Sequence, residues 1–236
     1  METTTRSTSV APAVKPHQAP ADAHNQFVKD PVAHFRAIPW CATLLNDPAI
    51  LNIIVVDRRP LPSGESNFVR RTMNSGTTVR ATTTFLRMVQ PPLGKKTGES
   101  ETISRSTELL KGGGPADGED PRNPFLLFNA LLDLGEDLCG FAGTMQGGLF
   151  AVLMDEVMGT AANFQAKLGA YTVQFNTKFL RPVKLPQVVL VRGRVIKLDG
   201  RKIHVRGTIE DKDGNLMAEG AGLWVQMGRD VGRSQL

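Results

Sequence analysis

Two glycines followed by a carboxylate form the pattern in this sequence that could do chemistry. Gly147 and Gly148 precede an apolar stretch, and Asp155 lies eight residues after Gly147. Ionised carboxylates are rarely buried without a partner. Either this turn reaches solvent or an arginine, or a cleft opens here and the acid works in it.

Both residue types suit attack on a carbonyl carbon. The first N–H groups of a helix carry partial positive charge, so they would stabilise a carbonyl oxygen that becomes an oxyanion. Glycine lets a ligand approach without a side chain in the way. Asp155 could act as a general base towards water or attack the carbonyl itself, and the sequence leaves both roles open.

One long helix must carry these residues. Residues 146–164 are apolar on nearly every side, which is typical of a helix covered on all faces. Glu156 points about 100° away from Asp155, so we interpret it as structural or exposed. Small residues on the Asp155 face could leave room for a bound ligand, or could pack closely. They are Ala151, Gly159 and Ala162.

An antiparallel sheet is predicted after the helix. Residues 171–180 alternate between two sets of side chains until Pro182, and strand-like segments follow at 188–198, 202–211 and 215–227. Asp-Gly at 199–200 and at 213–214 predicts two hairpins. Residues 124–228 therefore predict an α+β core in which the sheet curls round the helix.

The rest of the chain is predicted to flank this core. Residues 1–30 are rich in Ser, Thr, Ala and Pro and predict a disordered tail, and 229–236 form a C-terminal tail. Residues 31–123 predict an extension that adds to the sheet, with a helix at 31–46 interrupted at Pro39 and strands at 52–58, 77–89 and 101–110. Residues 124–134 could be a strand or a helical turn.

Charge and composition restrict the class of partner. The net charge is +5, and nine basic residues lie between 171 and 210 against two acids. They could meet phosphates or coat a solvated sheet face, but aromatic residues do not alternate with them, so nucleic acid is not expected. No apolar run could span a bilayer. The basic residues are Lys178, Arg181, Lys184, Arg192, Arg194, Lys197, Arg201, Lys202 and Arg206.

The cysteines indicate a reducing environment. Cys41 and Cys139 lie in unrelated contexts, which predicts neither a disulfide nor a zinc site. We expect a cytoplasmic protein, with mitochondria as the alternative location, and no cofactor or metal.

The order of elements resembles the hotdog-fold acyl-CoA thioesterases. The resemblance rests on the Gly147-Gly148 pair that opens the helix, the acid two turns later, the strand YTVQFNTKFLRP from Tyr171 to Pro182, and the hairpins that follow. It covers residues 125–227 best and is closest to the branch of the 4-hydroxybenzoyl-CoA and phenylacetyl-CoA-pathway enzymes. It implies a hotdog fold and hydrolysis of an acyl-CoA or acyl-carrier-protein thioester.

The resemblance also implies roles for single residues. Asp155 matches the family's acid, Gly147 the glycine whose N–H polarises the carbonyl, and Thr172 a hydroxyl near the start of the next strand. The family usually has His where this chain has Gln146, and an upstream Asn has no counterpart around 139–141. The predicted catalytic residues are Asp155, Gly147, Gln146 and Thr172, and the predicted substrate contacts are Gly148, Asn176, Lys178 and Arg181.

Helix geometry predicts an assembly. At ~1.5 Å per residue, Gly147 and Asp155 lie roughly 12 Å apart along the axis, so one carbonyl cannot touch both within a chain. If both act, the acid must come from a second copy, which predicts a homodimer or a dimer of dimers with sites at the interface, as in the family.

Two other functions remain open. One is a hotdog protein that catalyses dehydration, isomerisation, or release and cyclisation of a biosynthetic intermediate; it ranks lower because hotdog dehydratases generally use a His, and none lies near this helix. The other is a non-catalytic acyl-binding module, which the absent His and Asn keep open.

Overall fold

One antiparallel sheet of seven strands organises the protein in the computed structural model, which describes residues 24–88 and 126–228. Its strand order is β1-β2-β3-β7-β8-β9-β6, and β4 pairs with β5 as a separate short ribbon. The strands are β1 (Ile50–Val55), β2 (Val79–Met88), β3 (Leu126–Leu134), β4 (Cys139–Phe141), β5 (Thr144–Met145), β6 (Ala170–Phe179), β7 (Gln187–Asp199), β8 (Lys202–Glu210) and β9 (Leu216–Gln226). The helices are α1 (Pro31–Arg36), α2 (Pro39–Leu45) and α3 (Gly147–Asn163).

The predicted hotdog arrangement is confirmed. The antiparallel sheet packs against α3, and the main hydrophobic core lies between them. The predicted hairpins are present, with Gly200 and Gly214 in the left-handed region at φ 58° and 74°. The sequence pattern is typical of a helix covered on all faces, but within one chain only one side of α3 is buried. Residues on the opposite side, such as Glu156, remain exposed. The buried side consists of Phe150, Leu153, Met154, Val157, Met158, Ala161 and Ala162.

A row of three glycines lets α3 lie close to the sheet. Gly193, Gly207 and Gly220 stand directly opposite one another on β7, β8 and β9. A Cβ on Gly207 would lie 2.6 Å from the Met158 sulfur, and a Cβ on Gly193 would lie 3.0 Å from the Met158 Cα. The absence of side chains along this row makes room for the middle of the helix.

Helices α1 and α2 cover part of the other face of the sheet. Pro31 and Pro39 lie at the first positions of these helices, where proline is tolerated because the N–H has no partner there. Pro39 therefore starts a second helix, which explains the interruption predicted at this residue. The second core beneath them contains Phe35, Cys41, Leu45, Ala81, Phe85, Leu131 and Leu190.

A buried ion pair accounts for part of the basic segment. Arg192 Nε donates to Glu210 Oε1 at 3.0 Å, and its Nη1 donates to Asn129 Oδ1 at 3.0 Å. Thr208 donates to the same Glu210 oxygen at 2.8 Å. Arg192 and Arg194 are 3% and 1% exposed, so neither lies on a solvated face as the charge pattern had allowed.

The segment before α1 is fastened to the edge of β2. The side-chain amide of Gln26 pairs with the backbone of Thr82 in the way that a neighbouring strand does. Thr82 N–H donates to Gln26 Oε1 at 2.7 Å, and Gln26 Nε2 donates to Thr82 O at 3.0 Å. Nearby, the buried guanidinium of Arg58 donates to backbone carbonyls of Val79, Val69 and Met73. Burial lowers the pKa of Arg58 to about 10.

The boundaries predicted for the first half differ by a few residues. The strand predicted at 52–58 is β1, which ends at Val55, and the strand predicted at 77–89 is β2. Residues 124–134, left open between strand and helical turn, form β3. The strand predicted at 101–110, residues 1–23 of the tail predicted at 1–30, and the tail predicted at 229–236 lie outside the described residues. Residues 24–30 of the predicted tail are described, and Gln26 among them is hydrogen-bonded to Thr82 of β2.

Candidate active site

The start of α3 has free backbone donors and a side-chain cap. Gln146 is the N-cap residue, and its Oε1 accepts a hydrogen bond from Leu149 N at 3.1 Å. The Gly147 and Gly148 N–H groups precede the first intrahelical bond, and no acceptor within the described part of the chain engages them. Both glycines are exposed. The helix start can therefore receive an anion or a polarised carbonyl oxygen.

The two glycines have different local roles. A Cβ on Gly147 would have nothing within 4 Å, so the space beside it is open. A Cβ on Gly148 would lie 2.9 Å from Gln146 Oε1. Gly148 thus makes room for the carboxamide of Gln146 to fold back over the helix start, whereas Gly147 borders open space that a substrate could occupy.

Asp155 and Thr172 meet as a pair. The Thr172 hydroxyl donates to Asp155 Oδ1 at 2.9 Å, across the gap between α3 and β6. Asp155 is half-buried, and no Lys or Arg of the described residues forms an ion pair with it. Among the described residues, therefore, no arginine neutralises this acid, and the carboxylate is available for chemistry.

A β-bulge aims Thr172 at the helix. Strict alternation along β6 would place Thr172 on the face opposite to Phe175. The pairing with β9 instead shifts register between Thr172 and Gln174, and Thr172 stands opposite the buried Trp224. The extra residue, Val173, reverses the alternation, so Thr172 and Phe175 share the face that packs against α3.

Glu156 is exposed, as predicted, but its surroundings raise the pKa of its carboxyl group. Although it reaches solvent in the single chain, crowding by protein atoms desolvates the carboxylate and raises its pKa, the charge of Asp155 raises it further, and Arg70 opposes both. Arg70 belongs to the turn Phe68–Thr72, where its Nη1 donates to the carbonyls of Asp57 and Arg59. Part of the N-terminal extension therefore places a positive charge near Glu156.

The predicted substrate contacts on β6 lie on the other side of the strand. Phe175 and Phe179 face α3, since their rings contact Trp224 and Phe150. Asn176 and Lys178 therefore point to the opposite face, and Lys178 Nζ lies 3.9 Å from Glu219. Arg181, just beyond β6, donates to Leu216 O at 2.8 Å. Within one chain these three side chains are not brought together with Asp155, and their role in binding substrate stays a prediction.

Two of the small residues on α3 serve close packing. Ala162 is fully buried, and a Cβ on Gly159 would lie 3.3 Å from the indole nitrogen of Trp224. Only Ala151, which is half-buried, remains a candidate to border an acyl or pantetheine arm. Trp224 was not predicted as a core residue, although it lies in the apolar run Leu223-Trp224-Val225 of β9.

Neither a metal-ligating cluster nor a membrane-spanning helix is found in the part of the chain that the structure describes. Residues 24–88 and 126–228 contain no group of three or more His, Cys, Asp or Glu side chains able to hold a metal ion. Over the same ranges, no helix has the length and apolar character needed to cross a membrane.

Comparison with known proteins identifies related sequences. The thioesterase superfamily matches residues 142–218, which contain Gln146, Gly147, Asp155 and Thr172. Verlamelin biosynthesis protein B from Lecanicillium sp is 29% identical over 134 residues, covering 44% of this chain and 58% of that protein. Acyl-coenzyme A thioesterase THEM4 from Mus musculus is 31% identical over 99 residues, covering 42% of each chain.

Two solved structures align with part of this chain. The putative thioesterase yhdA from Lactococcus lactis aligns with 20% identity and a TM-score of 0.43, covering 45% of this chain and 87% of that one. The E. coli PaaI protein aligns with 17% identity and a TM-score of 0.42, covering 44% and 75%. The chain spans 58% or less of the length of each curated relative named above.

Proposed function

Residues 142–218 belong to the thioesterase superfamily, and we propose that this chain hydrolyses the thioester of an acyl-CoA or acyl-carrier-protein substrate. The observation that carries the proposal is the hydrogen bond from Thr172 to Asp155, a half-buried carboxylate without a cationic partner among the described residues. The similarity to a protein named acyl-coenzyme A thioesterase supports the same reaction.

The helix start supplies the electrostatic part of the reaction. The thioester oxygen would lie at the Gly147 N–H, where the open space beside the glycine admits it. Negative charge that develops on this oxygen would be stabilised by the N–H and by the positive end of the helix. Gln146 keeps its carboxamide on the Leu149 N–H and so fixes the shape of this turn.

Asp155 supplies the proton transfer. As a general base it would take a proton from water while the water oxygen bonds to the carbonyl carbon; the C–S bond then breaks, and the thiolate receives the proton. The Thr172 hydroxyl occupies one carboxylate oxygen, Oδ1, and leaves Oδ2 for the water. Direct attack by Asp155 on the carbonyl carbon would instead break the C–S bond, release the thiolate and leave an acyl-aspartyl anhydride, which water then hydrolyses.

Labelled water separates the two roles of Asp155. After a single turnover in H₂¹⁸O, ¹⁸O on Asp155 identifies an attacking carboxylate whose anhydride water opens at the aspartyl carbon, whereas a general base leaves the label only in the released acid. Mass spectrometry of the peptide containing Asp155 reads the difference, and a peptide from another part of the chain controls for exchange.

A second copy of the chain completes the proposed site. The helix start and Asp155 lie roughly 12 Å apart along the axis of α3. β6 is an edge strand of the sheet, and it and the residue after it expose apolar side chains, which natural proteins usually cover. We propose that two chains meet along β6 so that the helix start of one chain faces Asp155 of the other. The exposed side chains are Tyr171, Val173, Phe179 and Leu180.

Thiol release tests the hydrolysis. The wild-type protein and Asp155→Asn are offered a panel of acyl-CoAs, and free thiol is measured. We expect release by the wild type and its loss in the variant, which keeps the shape of the side chain but not its basicity. Binding of acyl-CoA without release in the wild type would support a non-catalytic acyl-binding module instead.

Subunit mixing tests the shared site. Asp155→Asn chains are mixed with Gly147→Pro chains, which lack the N–H at the helix start. In a shared site, a mixed dimer contains one intact half-site from each chain, so activity should return to roughly a quarter of the wild-type level for random mixing and one active site per mixed dimer. If the mixture stays as inactive as its parts while the proteins exchange subunits, the shared site is wrong.

A second candidate is release or modification of a biosynthetic acyl intermediate. It is favoured by the similarity to a protein named for verlamelin biosynthesis. Consumption of the thioester with a cyclic or dehydrated product, in place of a free carboxylic acid, would select this candidate.

A further inference from the structure

The connection from α3 to β6 decides whether Asp155 and Thr172 meet. Asp155 lies on the helix and Thr172 is the third residue of the strand, so their 2.9 Å hydrogen bond depends on where β6 begins relative to α3. Both partners lie at exposed or half-exposed positions, where packing alone restricts a strand weakly. Pairing with β9 sets the register of β6, and a contact at the end of the helix would in addition fix the start of the strand relative to α3.

Asn163, the last residue of α3, bridges the two elements with its side chain. Its Oδ1 accepts a hydrogen bond from Ala170 N at 2.8 Å, and its Nδ2 donates to Gly159 O at 2.9 Å. One planar amide thus ties the last turn of the helix to the first residue of β6. Ala170 precedes Thr172 by two residues, so the bridge acts on the strand immediately before the hydroxyl.

The residue before the bridge is fixed as well. Gly169 has φ 93°, in the region that favours glycine, and its carbonyl accepts a hydrogen bond from Met227 N at 3.0 Å. The chain is therefore held to the end of β9 on one side and to α3 on the other. After Ala170, the bulge at Val173 turns Thr172 towards the helix.

We infer that Asn163 is a positioning residue: its side chain sets the start of β6 and thereby holds the Thr172 hydroxyl on Asp155. Asn163 forms no hydrogen bond with either of these residues and acts through the backbone of Ala170. Its importance for catalysis rests on the proposed thioester hydrolysis. Its effect on the local structure does not.

A double-mutant cycle tests the inference. Asn163→Ala should lower kcat by roughly tenfold with little change in KM, because a displaced hydroxyl affects the reacting geometry more than binding. In a Thr172→Ala background the same change should cost less than about twofold, since Asn163 acts through Thr172. Asn163→Asp retains an oxygen acceptor for Ala170 N and should recover most of the activity.

Thr160→Ala is the matched control. It removes another exposed hydrogen bond of α3, from Thr160 Oγ1 to Glu156 O, without touching the connection to β6. It should leave kcat unchanged. Equal losses for Asn163→Ala in the wild-type and Thr172→Ala backgrounds, or an equal loss in the control, would overturn the inference.

Amide hydrogen exchange keeps the inference separate from the proposed function. Exchange at Ala170 should be roughly 3- to 10-fold faster in Asn163→Ala, because its N–H loses the hydrogen bond to Asn163 Oδ1, and unchanged in Thr160→Ala. If the wild type releases no thiol from any substrate, the proposed function fails while faster exchange still supports the bridge. Unchanged exchange in a folded Asn163→Ala protein would refute it.

Discussion

Replacing Gly147 with proline removes one N–H group and should leave the fold intact. Gly147 is the first residue of α3, where proline is favoured because its missing N–H would have no helical partner. Gln146, the residue before it, has φ −64° and ψ 136°, which suits a residue that precedes proline. A Cβ at this position would have nothing within 4 Å outside its two chain neighbours, so the Cβ of the proline ring has room. Little change in melting temperature is expected.

The expected loss of activity follows from the role given to this donor. Removing one oxyanion donor typically lowers kcat about 10²- to 10³-fold, which corresponds to about 2.7–4 kcal/mol of transition-state stabilisation. Gly147→Ala is the matched variant because it keeps the N–H and adds a methyl group in the same open space. Steady-state thiol release should therefore show a far lower kcat for Gly147→Pro than for Gly147→Ala.

One result would refute this reasoning. If a folded Gly147→Pro protein turns over within about threefold of Gly147→Ala, the N–H of Gly147 does not polarise the thioester. Circular dichroism and the melting temperature of both variants establish that they are folded. The remaining donor, Gly148 N–H, is present in both variants and so cannot account for a difference between them.

Three further predictions concern stability and reactivity. Gly207→Ala should cost about 1–3 kcal/mol, because its Cβ would lie 2.6 Å from both Arg192 O and the Met158 sulfur; thermal unfolding measures it. Glu156→Gln should stabilise the protein above pH 5 and make no difference near pH 3. The pKa of the Glu156 carboxyl is raised in the folded state, so native stability falls as pH rises through the ordinary carboxyl pKa of 4.5 and beyond. Iodoacetamide should label exposed Cys139 in the folded protein but not Cys41, since burial, helped by the charge of Asp133, raises the pKa of Cys41 to about 12.

Each of these has a control or a contradicting outcome. Gly228→Ala adds a methyl group whose nearest neighbour is the flexible Arg201 side chain at 3.4 Å, so it should leave thermal stability unchanged. A Glu156→Gln effect that grows towards low pH would reverse the sign of the argument. Labelling of Cys41 at the rate of Cys139 would contradict the burial of that thiol.

Much of the fold could be predicted because it rests on local patterns. The hairpins at Gly200 and Gly214 and the helix after Gly147 each follow from a few neighbouring residues. Contacts between strands were harder to predict from the sequence. Gly193, Gly207 and Gly220 look like weak points in three separate strands until register places them in one row. Register is a long-range property, so no single segment contains it.

In the candidate site, too, single residues could be predicted from the sequence but their contacts could not. Asp155 and Thr172 were predicted as separate residues, and their contact depends on a bulge that strict alternation along β6 would not include. Arg192 was assigned by its charge to a phosphate site or a solvated face, because composition cannot reveal that Glu210 lies beside it on the next strand. The predicted location in the cell, and the branch of the family, stay predictions.

The amide of Gln26 has a practical consequence. It occupies the place of a neighbouring peptide on β2 beyond the last residue of β1 that pairs there, and it satisfies both backbone groups of Thr82. A chain trimmed past this glutamine would leave a short length of open sheet border, at which strands from other molecules could add. Recombinant versions intended to remain monodisperse at high concentration should therefore retain His24 and everything after it.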